Sequence, residues 1–335
     1  MISMFPELAF LARTLIFPGL LFLFGLVLFC DWFERKLAAK MQNRMGPSYT
    51  GPWGILQPLA DYVKLFSKEE IVPKQANRIF FTLAPVLALA LFIFTLFFLP
   101  IDGAYTVSDS AFEGDLIFVL VLVTAGTFTM FLSGWASGNP YSGIGATRVL
   151  TQFLGYDIPL IALAACPAFL ARSLCILKIS ASQHVPYALV IPWAFLLFIV
   201  VLQAELEKDP FDIPDAETEL VAGYETEFSG RRLALLRLAR DFQLLFGAAL
   251  TTSLFLGGPA GPVIFGPAPL WQTVWFIAKM LLVLVVFEYV AAICARLRID
   301  QLMRANWMRL VQLSILSLAA TVASAPLLQL ITGAV

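Results

Sequence analysis

A single histidine, His184, is all that a chain of 335 residues carries, which argues against a zinc or haem centre built from several imidazoles. Cysteine is nearly as scarce. Cys30, Cys166, Cys175 and Cys294 lie in or near apolar segments with no Cys-x-x-Cys pair, so they read as small buried hydrophobes rather than a disulfide framework or a thiolate metal site. Only 13% of residues are charged and the net charge is -1, which leaves no basic surface for nucleic acid. The first apolar run lacks a basic segment before it and a small-residue cleavage site after it, so no cleavable signal peptide is expected. No loop exceeds about 50 residues, which excludes a separate soluble catalytic or receptor domain.

What the chain has instead is apolar length. It is 60% hydrophobic, with 30 phenylalanines and a mean hydropathy of +0.84, and so reads as an all-α integral membrane protein, one membrane domain over residues 1–335. At about 20 residues per span, eight candidate crossings are read at about 10–30, 79–99, 116–133, 150–170, 187–204, 241–257, 271–294 and 310–331. Sorting the connections alternately puts 18 of the 22 Lys and Arg residues in 31–78, 134–149, 205–240 and 295–309. The excess of positive charge marks these loops as cytoplasmic and leaves both termini outside. The outer loop 100–115 holds Asp102, Asp109, Glu113 and Asp115 with no basic residue.

Within the first inner loop, Gly46-Pro47 and Gly51-Pro52 impose turns. In the segment after them Ile55, Leu59, Val63 and Phe66 share one helical stripe while Asp61, Lys64 and Lys68 share another, the pattern of a helix lying in the membrane interface. Such a helix either braces the bundle or frames the mouth of a cavity reached from the lipid.

The strongest contrast lies between Glu205 and Glu227, where nine carboxylates are relieved by one base, Lys208. Runs of like charge are usually solvated. Here Pro210, Phe211, Ile213 and Pro214 interleave the acids, and Leu220 to Tyr224 and Phe228 offer packing surface, so the segment is expected to fold against the bundle. Acids crowded in a partly dry place cannot all ionise and can hold and pass protons. The other reading is a docking surface for a basic partner. Asp157, Asp241 and Glu288 lie within or at the ends of apolar runs, where an ionisable group is by default a functional candidate. Glu288 and Lys279 are placed towards the outer half of the seventh run, with Lys279 as a possible partner or a snorkelling base.

Several motifs together carry a resemblance. Glu34-Arg35-Lys36, then Arg44 with Gly46-Pro47, then Gly51-Pro52-Trp53-Gly54 through Leu56-Gln57-Pro58 to Asp61, form one block. A second runs from Ala204-Glu205 through Pro210-Phe211-Asp212, Pro214, Glu217 and Glu219 to Gly223-Tyr224, Thr226-Glu227-Phe228 and Gly230; a third is Arg298 with Asp300-Gln301-Leu302-Met303-Arg304. In this order they resemble the H subunit of respiratory complex I, a proton-pumping NADH:quinone oxidoreductase of the inner membrane.

The resemblance implies a bundle of about eight transmembrane helices with an interfacial amphipathic helix and structured cytoplasmic loops, seated in a bacterial inner membrane. It implies a subunit that binds no redox cofactor itself and takes quinone as substrate, with flavin and iron–sulfur clusters held by partner subunits. The implied partners are hydrophilic quinone-site subunits, antiporter-like and small membrane subunits, and lipid. By matching position, Glu34, Arg35, Arg44, Trp53, Asp61, Phe228, Arg298 and Asp300 would line or brace the quinone chamber and its lipid-side entrance. Asp157, Glu205, Asp212, Asp215, Glu217, Glu219, Glu225, Glu227 and Asp241 would form the proton path, and no metal is implied.

The chain departs from the family pattern at Glu207, Asp209 and Glu225, which are additional acids, at Phe228 for tyrosine, and at Ala239-Arg240-Asp241 where Ala-Glu-Tyr is usual. The missing glutamate is either moved one position, about 100° around the helix, or replaced by a loop acid. These departures keep open a homologous coupling and anchoring subunit of an energy-converting membrane-bound hydrogenase. A free-standing transporter lacks support, since no inverted repeat of paired broken helices is visible.

Overall fold

A computed structural model describes residues 6–104, 112–215, 217–263 and 266–332, and every regular element among them is helical. In chain order these are α1 (Pro6–Leu15), α2 (Leu20–Met41), α3 (Gln57–Ser67), α4 (Arg78–Leu96), α5 (Asp115–Ala136), α6 (Pro140–Ala171), α7 (Ile176–Ala181), α8 (Tyr187–Val190) and α9 (Pro192–Glu205). They continue with α10 (Glu217–Leu220), α11 (Gly230–Phe255), α12 (Ala268–Ile293), α13 (Ile299–Ala305) and α14 (Val311–Thr332), the last two joined by a π-turn at Asn306–Leu310. Asp109 of the acidic outer loop lies outside the described residues.

Among the described residues, six stretches are long and apolar enough to cross a membrane: Phe10–Met41, Arg78–Leu96, Asp115–Ala136, Pro140–Ala171, Ala268–Ile293 and Ile299–Pro326. The chain is a multi-pass membrane protein. Two of the eight crossings expected from hydropathy take other forms. α9 has 14 residues, about 21 Å at ~1.5 Å per residue, and Ile191, at φ -126 and ψ 63, breaks it from α8. α11 has 26 residues, but its first half carries Arg231, Arg232, Arg237, Arg240 and Asp241. Every residue of α11 from Phe242 to Phe255 is buried, so protein rather than lipid surrounds it, and Thr251, Thr252 and Ser253 return their hydroxyls to its own carbonyls.

Several helices run past the membrane limits read from hydropathy. α2 continues to Met41 and so carries Asp31, Glu34 and Arg35 on a helix. α6 starts at Pro140 because Asn139 caps it, accepting from the Tyr141 amide at 2.9 Å, and Pro140 fits the first turn, where no amide is needed.

α3 packs Pro58, Tyr62 and Leu65 inward while Ile55, Leu59, Val63 and Phe66 face outward, so the apolar stripe seen in the sequence is not the bundle-facing side. An apolar face turned away from the core suits a helix resting in lipid. The turns before it use left-handed backbone at Gly51, Trp53 and Gly54. Cys294 is exposed just after α12, unlike the three other cysteines, which are buried as expected.

Candidate functional site

The acidic loop after α9 is folded against the bundle by its apolar members. Phe211, Ile213, Leu220, Tyr224 and Phe228 are all buried. Backbone groups are tied down too: Gln152 of α6 donates to the carbonyls of Ala204 (2.8 Å) and Phe211 (3.0 Å), Ser142 to that of Tyr224 (2.9 Å), and the Leu297 amide to that of Pro210 (3.1 Å). Gly223 is required where it stands: at φ +53 an added Cβ would lie 2.2 Å from the Pro214 carbonyl oxygen.

Between this loop, α2, α3, α11 and the end of α12 lies a cavity of about 800 Å³. Its wall brings together Glu34, Arg35 and Asp61 from the chamber set and Asp212, Asp215, Glu225 and Asp241 from the proton-path set, with Glu207, Lys208 and Glu288 between them. A smaller pocket of about 410 Å³ shares Arg35 and adds Arg44.

Arg35 joins α2 to α3: it donates to Asp31 at 2.9 Å and to Asp61 at 2.6 Å, and Gln57 steadies Asp61 at 2.9 Å. Tyr62 of α3 donates to Asp241 of α11. Burial and the Asp241 carboxylate hold the Tyr62 hydroxyl above its ordinary range, so it remains a donor.

Deeper in the loop Arg240 is surrounded. It pairs with Asp215, lies 3.2 Å from Glu225 Oε1, donates to the Tyr224 hydroxyl at 2.8 Å and sits 5.2 Å over that ring. Arg237 adds a longer contact to Glu225 at 3.6 Å. Burial pushes Glu225 up against the pull of Arg240. Burial pushes Glu207 up to about 8, opposed by Arg240 and assisted by Asp215 and Asp212. Burial and Asp215 push Asp212 up to about 7 against Arg296. The additional acids Glu207 and Glu225 and the unusual Arg240 thus form one electrostatic group, while Asp241 faces α3; both alternatives for the missing glutamate occupy the same cavity wall.

Lys208 does not serve the loop acids. Its ammonium bonds Glu34 of α2 and lies 2.9 Å from Glu288 of α12. Burial opposes its charge, yet the two carboxylates outweigh that and hold its pKa above the ordinary lysine value. The sequence expectation for Glu288 is therefore corrected. It sits in the last turns of α12, at the same end as Glu34 and the acidic loop, and Lys279 instead donates to the carbonyls of Gly258 (3.0 Å) and Ala260 (2.7 Å). The physical reason is direction: α12 runs from the 258–267 loop towards the connection to α13, so the residue nine positions later lies about two and a half turns nearer that end.

Other expected site residues lie away from the cavity wall. Glu205 is buried at the end of α9, accepting from Thr127 at 3.0 Å and Gln243 at 3.4 Å. Asp157 of α6 is partly buried, and its Oδ1 makes no hydrogen bond among the described residues. Glu219 pairs with Arg148 at 2.7 Å on the exposed side of the loop, which lowers its pKa below the ordinary glutamate value. Glu227 accepts from Asn139. Phe228 stacks on Phe81 at 4.1 Å in a small separate core with Ala136 and Leu236. Trp53 is 78% exposed, and its carbonyl accepts from Trp32 at 3.2 Å. Arg298 and Asp300 are exposed at the start of α13. The side chain of Glu217 lies outside the described residues.

Sequence reasoning did not foresee Asp31, Tyr62, Lys208 and Glu288 as part of this constellation. Lys208 carried a signal, being the one base among nine acids; Tyr62 carried none, because a tyrosine on an amphipathic helix is ordinary. No group of three or more His, Cys, Asp or Glu suited to a metal ion occurs among the described residues.

The family model described as NADH dehydrogenase matches residues 15–322. The H subunit of NADH-quinone oxidoreductase from Dehalococcoides mccartyi is 36% identical over 307 residues, covering 90% of this chain and 84% of the relative. The H subunit from Thermomicrobium roseum is 38% identical, covering 89% and 91%, and an H subunit from Geobacter sulfurreducens is 37% identical, covering 88% and 89%.

Proposed function

Because the chain belongs to the NADH dehydrogenase family, as a relative of the H subunit of NADH-quinone oxidoreductase, we propose that it forms the lower wall of a quinone chamber and couples quinone reduction to proton translocation through its acidic loop. One observation carries this reading: the chamber residues Glu34, Arg35 and Asp61 and the acids Asp212, Asp215, Glu225 and Asp241 line the same cavity of about 800 Å³. Charge appearing on a quinone there acts directly on those acids. At an effective dielectric of about 20, two charges 4 Å apart interact by roughly 4 kcal/mol, enough to change which carboxyl holds a proton.

The outward apolar stripe of α3 supports a doorway for an isoprenoid tail from the lipid. The bias of Lys and Arg supports both termini on the outer side of a bacterial cytoplasmic membrane, with the cavity opening inward. Hydrophilic partner subunits, carrying flavin and iron–sulfur clusters, would close the chamber from that side, and antiporter-like subunits would receive the protons. The relatives' names speak for this enzyme over a hydrogenase coupling subunit.

A photoreactive quinone applied to the assembled complex tests the chamber. Labelling is expected on α2 and α3 near Glu34, Arg35 and Asp61, displaced by unlabelled quinone. Displaceable labelling confined to other surfaces of the chain would overturn the reading.

A further inference from the structure

Three groups at the rim of the cavity come from three separate parts of the chain: Glu34 from α2, Lys208 from the loop after α9, and Glu288 from α12. Their side chains are 13%, 21% and 11% exposed. An ammonium has three donors, so Lys208 can bond both carboxylates at once, and it does so here. Five other bases line the same cavity: Lys64 and Lys68 of α3, Arg237, which meets Glu225 at 3.6 Å, and Arg35 and Arg240. Arg35 is held by Asp31 and Asp61, and Arg240 by Asp215 and Glu225. Asp241 bonds Tyr62, while Glu207 and Asp209 on the same loop bring further acids to the cavity lining.

One ammonium therefore faces two carboxylates in a sheltered place. With all three ionised the group carries a net negative charge that burial disfavours. Binding one proton removes that charge.

We propose that Glu34, Lys208 and Glu288 form a proton-holding triad at the rim of the cavity, with Glu288 an acid that serves it in addition to the loop carboxylates. This rests on the coupling role proposed above. Uptake of one proton from cavity water converts one carboxylate to a carboxylic acid, and the ammonium closes on the other. Release of that proton returns the ammonium to both. Lys208 keeps its own protons throughout and no electron moves. The position of Lys208 on the acidic loop means that each exchange pulls that loop towards α2 or towards α12.

Infrared difference spectra of the assembled complex in its lipid, recorded across a pH step, test the triad by the carbonyl stretch of protonated carboxyl groups. Relative to wild type, Glu288→Gln should lose one carboxyl equivalent, and Glu34→Gln should lose the same one, because the remaining acid then pairs fully with Lys208. Lys208→Met should double the signal from the pair, and Lys208→Arg should restore it to the wild-type size. A Glu288→Gln spectrum identical to wild type would overturn the proposal, as would equal spectra for Lys208→Met and Lys208→Arg. Should Lys208→Met fail to assemble, Glu288→Gln against Lys208→Arg still decides. The measurement needs no quinone turnover, so a normal triad signal in a complex whose quinone labelling lies elsewhere would count against the chamber reading alone.

Discussion

Tyr62 on α3 donates its hydroxyl to Asp241 on α11, a residue 179 positions further along the chain. This single bond ties the interfacial helix to the central helix of the bundle at the cavity wall. It also gives a half-buried carboxylate a donor at the cavity wall.

Removing that donor should be costly. Tyr62→Phe is expected to destabilise the protein by about 1–3 kcal/mol, the usual penalty for leaving a buried polar group unpaired. Adding Asp241→Asn should recover part of the loss. Thermal midpoints of the purified complex check this through a double-mutant cycle, and a coupling near zero would show that the bond contributes nothing.

Arg240 offers a sharper case, because Asp215, Glu225 and the Tyr224 ring all depend on it. Arg240→Gln should cost about 3 kcal/mol or more by leaving buried acids uncompensated. A second substitution, Glu225→Gln, should relieve some of that. If the single variant is as stable as wild type in a denaturation series, Arg240 is not the anchor of this cluster.

The raised acids of the loop predict a pH dependence with a definite sign. Glu207 moves from 4.5 to about 8 and Asp212 from 3.8 to about 7, so the folded state holds protons that the unfolded chain has released. Their favourable contribution is full at pH values below the unfolded pKa and is lost as pH rises through the folded one. Through these groups, stability should therefore decline between the unfolded values and the folded ones of about 7 and about 8. Glu207→Gln and Asp212→Asn together should flatten the decline, read as thermal midpoints across that range.

Proton coupling can be separated from assembly. Asp212→Asn or Glu217→Gln should leave the complex assembled yet depress quinone-linked turnover and proton pumping together, measured in sealed vesicles. Wild-type rates in both variants would remove these acids from the path. Arg35→Ala should instead act mainly on quinone handling, seen as a raised apparent KM for quinone.

Gly223→Ala should disrupt the acidic loop without adding or removing a charge, since its Cβ would meet the Pro214 carbonyl and, at 2.8 Å, the Asp215 carboxylate, and its positive φ disfavours alanine. Faster proteolysis within residues 206–229 is the expected sign. An unchanged digestion pattern would mean that the turn can relax.

Much of the class of this protein is written in local pattern. Apolar runs of about 20 residues need hydrocarbon or protein around them, and an excess of Lys and Arg on alternate loops follows from how such runs insert. The alternation of stiff apolar residues with acids between Glu205 and Glu227 announces a packed loop, and Asn139-Pro140 and Gly223 carry their own conformational meaning. Hydropathy describes α9 and α11 less well. A short helix and a polar one are both tolerated when other helices rather than lipid enclose them, and enclosure is a tertiary property.

The placement of charge partners lies beyond local reading altogether. Glu288 is nine residues from Lys279 and 80 from Lys208, yet it pairs with Lys208, because helix direction and loop folding decide which charged groups share a dry space. The outward stripe of α3 shows the same division: periodicity reveals the stripe, but only packing assigns Tyr62 and Leu65 to the inner side. Residue order alone was enough for a multi-pass helical membrane protein, its family and its reservoir of acids. That Glu34, Arg35 and Asp61 of the quinone set and Asp212, Asp215, Glu225 and Asp241 of the proton set stand on one cavity wall emerges only from the packed bundle, since electrostatic coupling depends on distance through the protein and not along the chain.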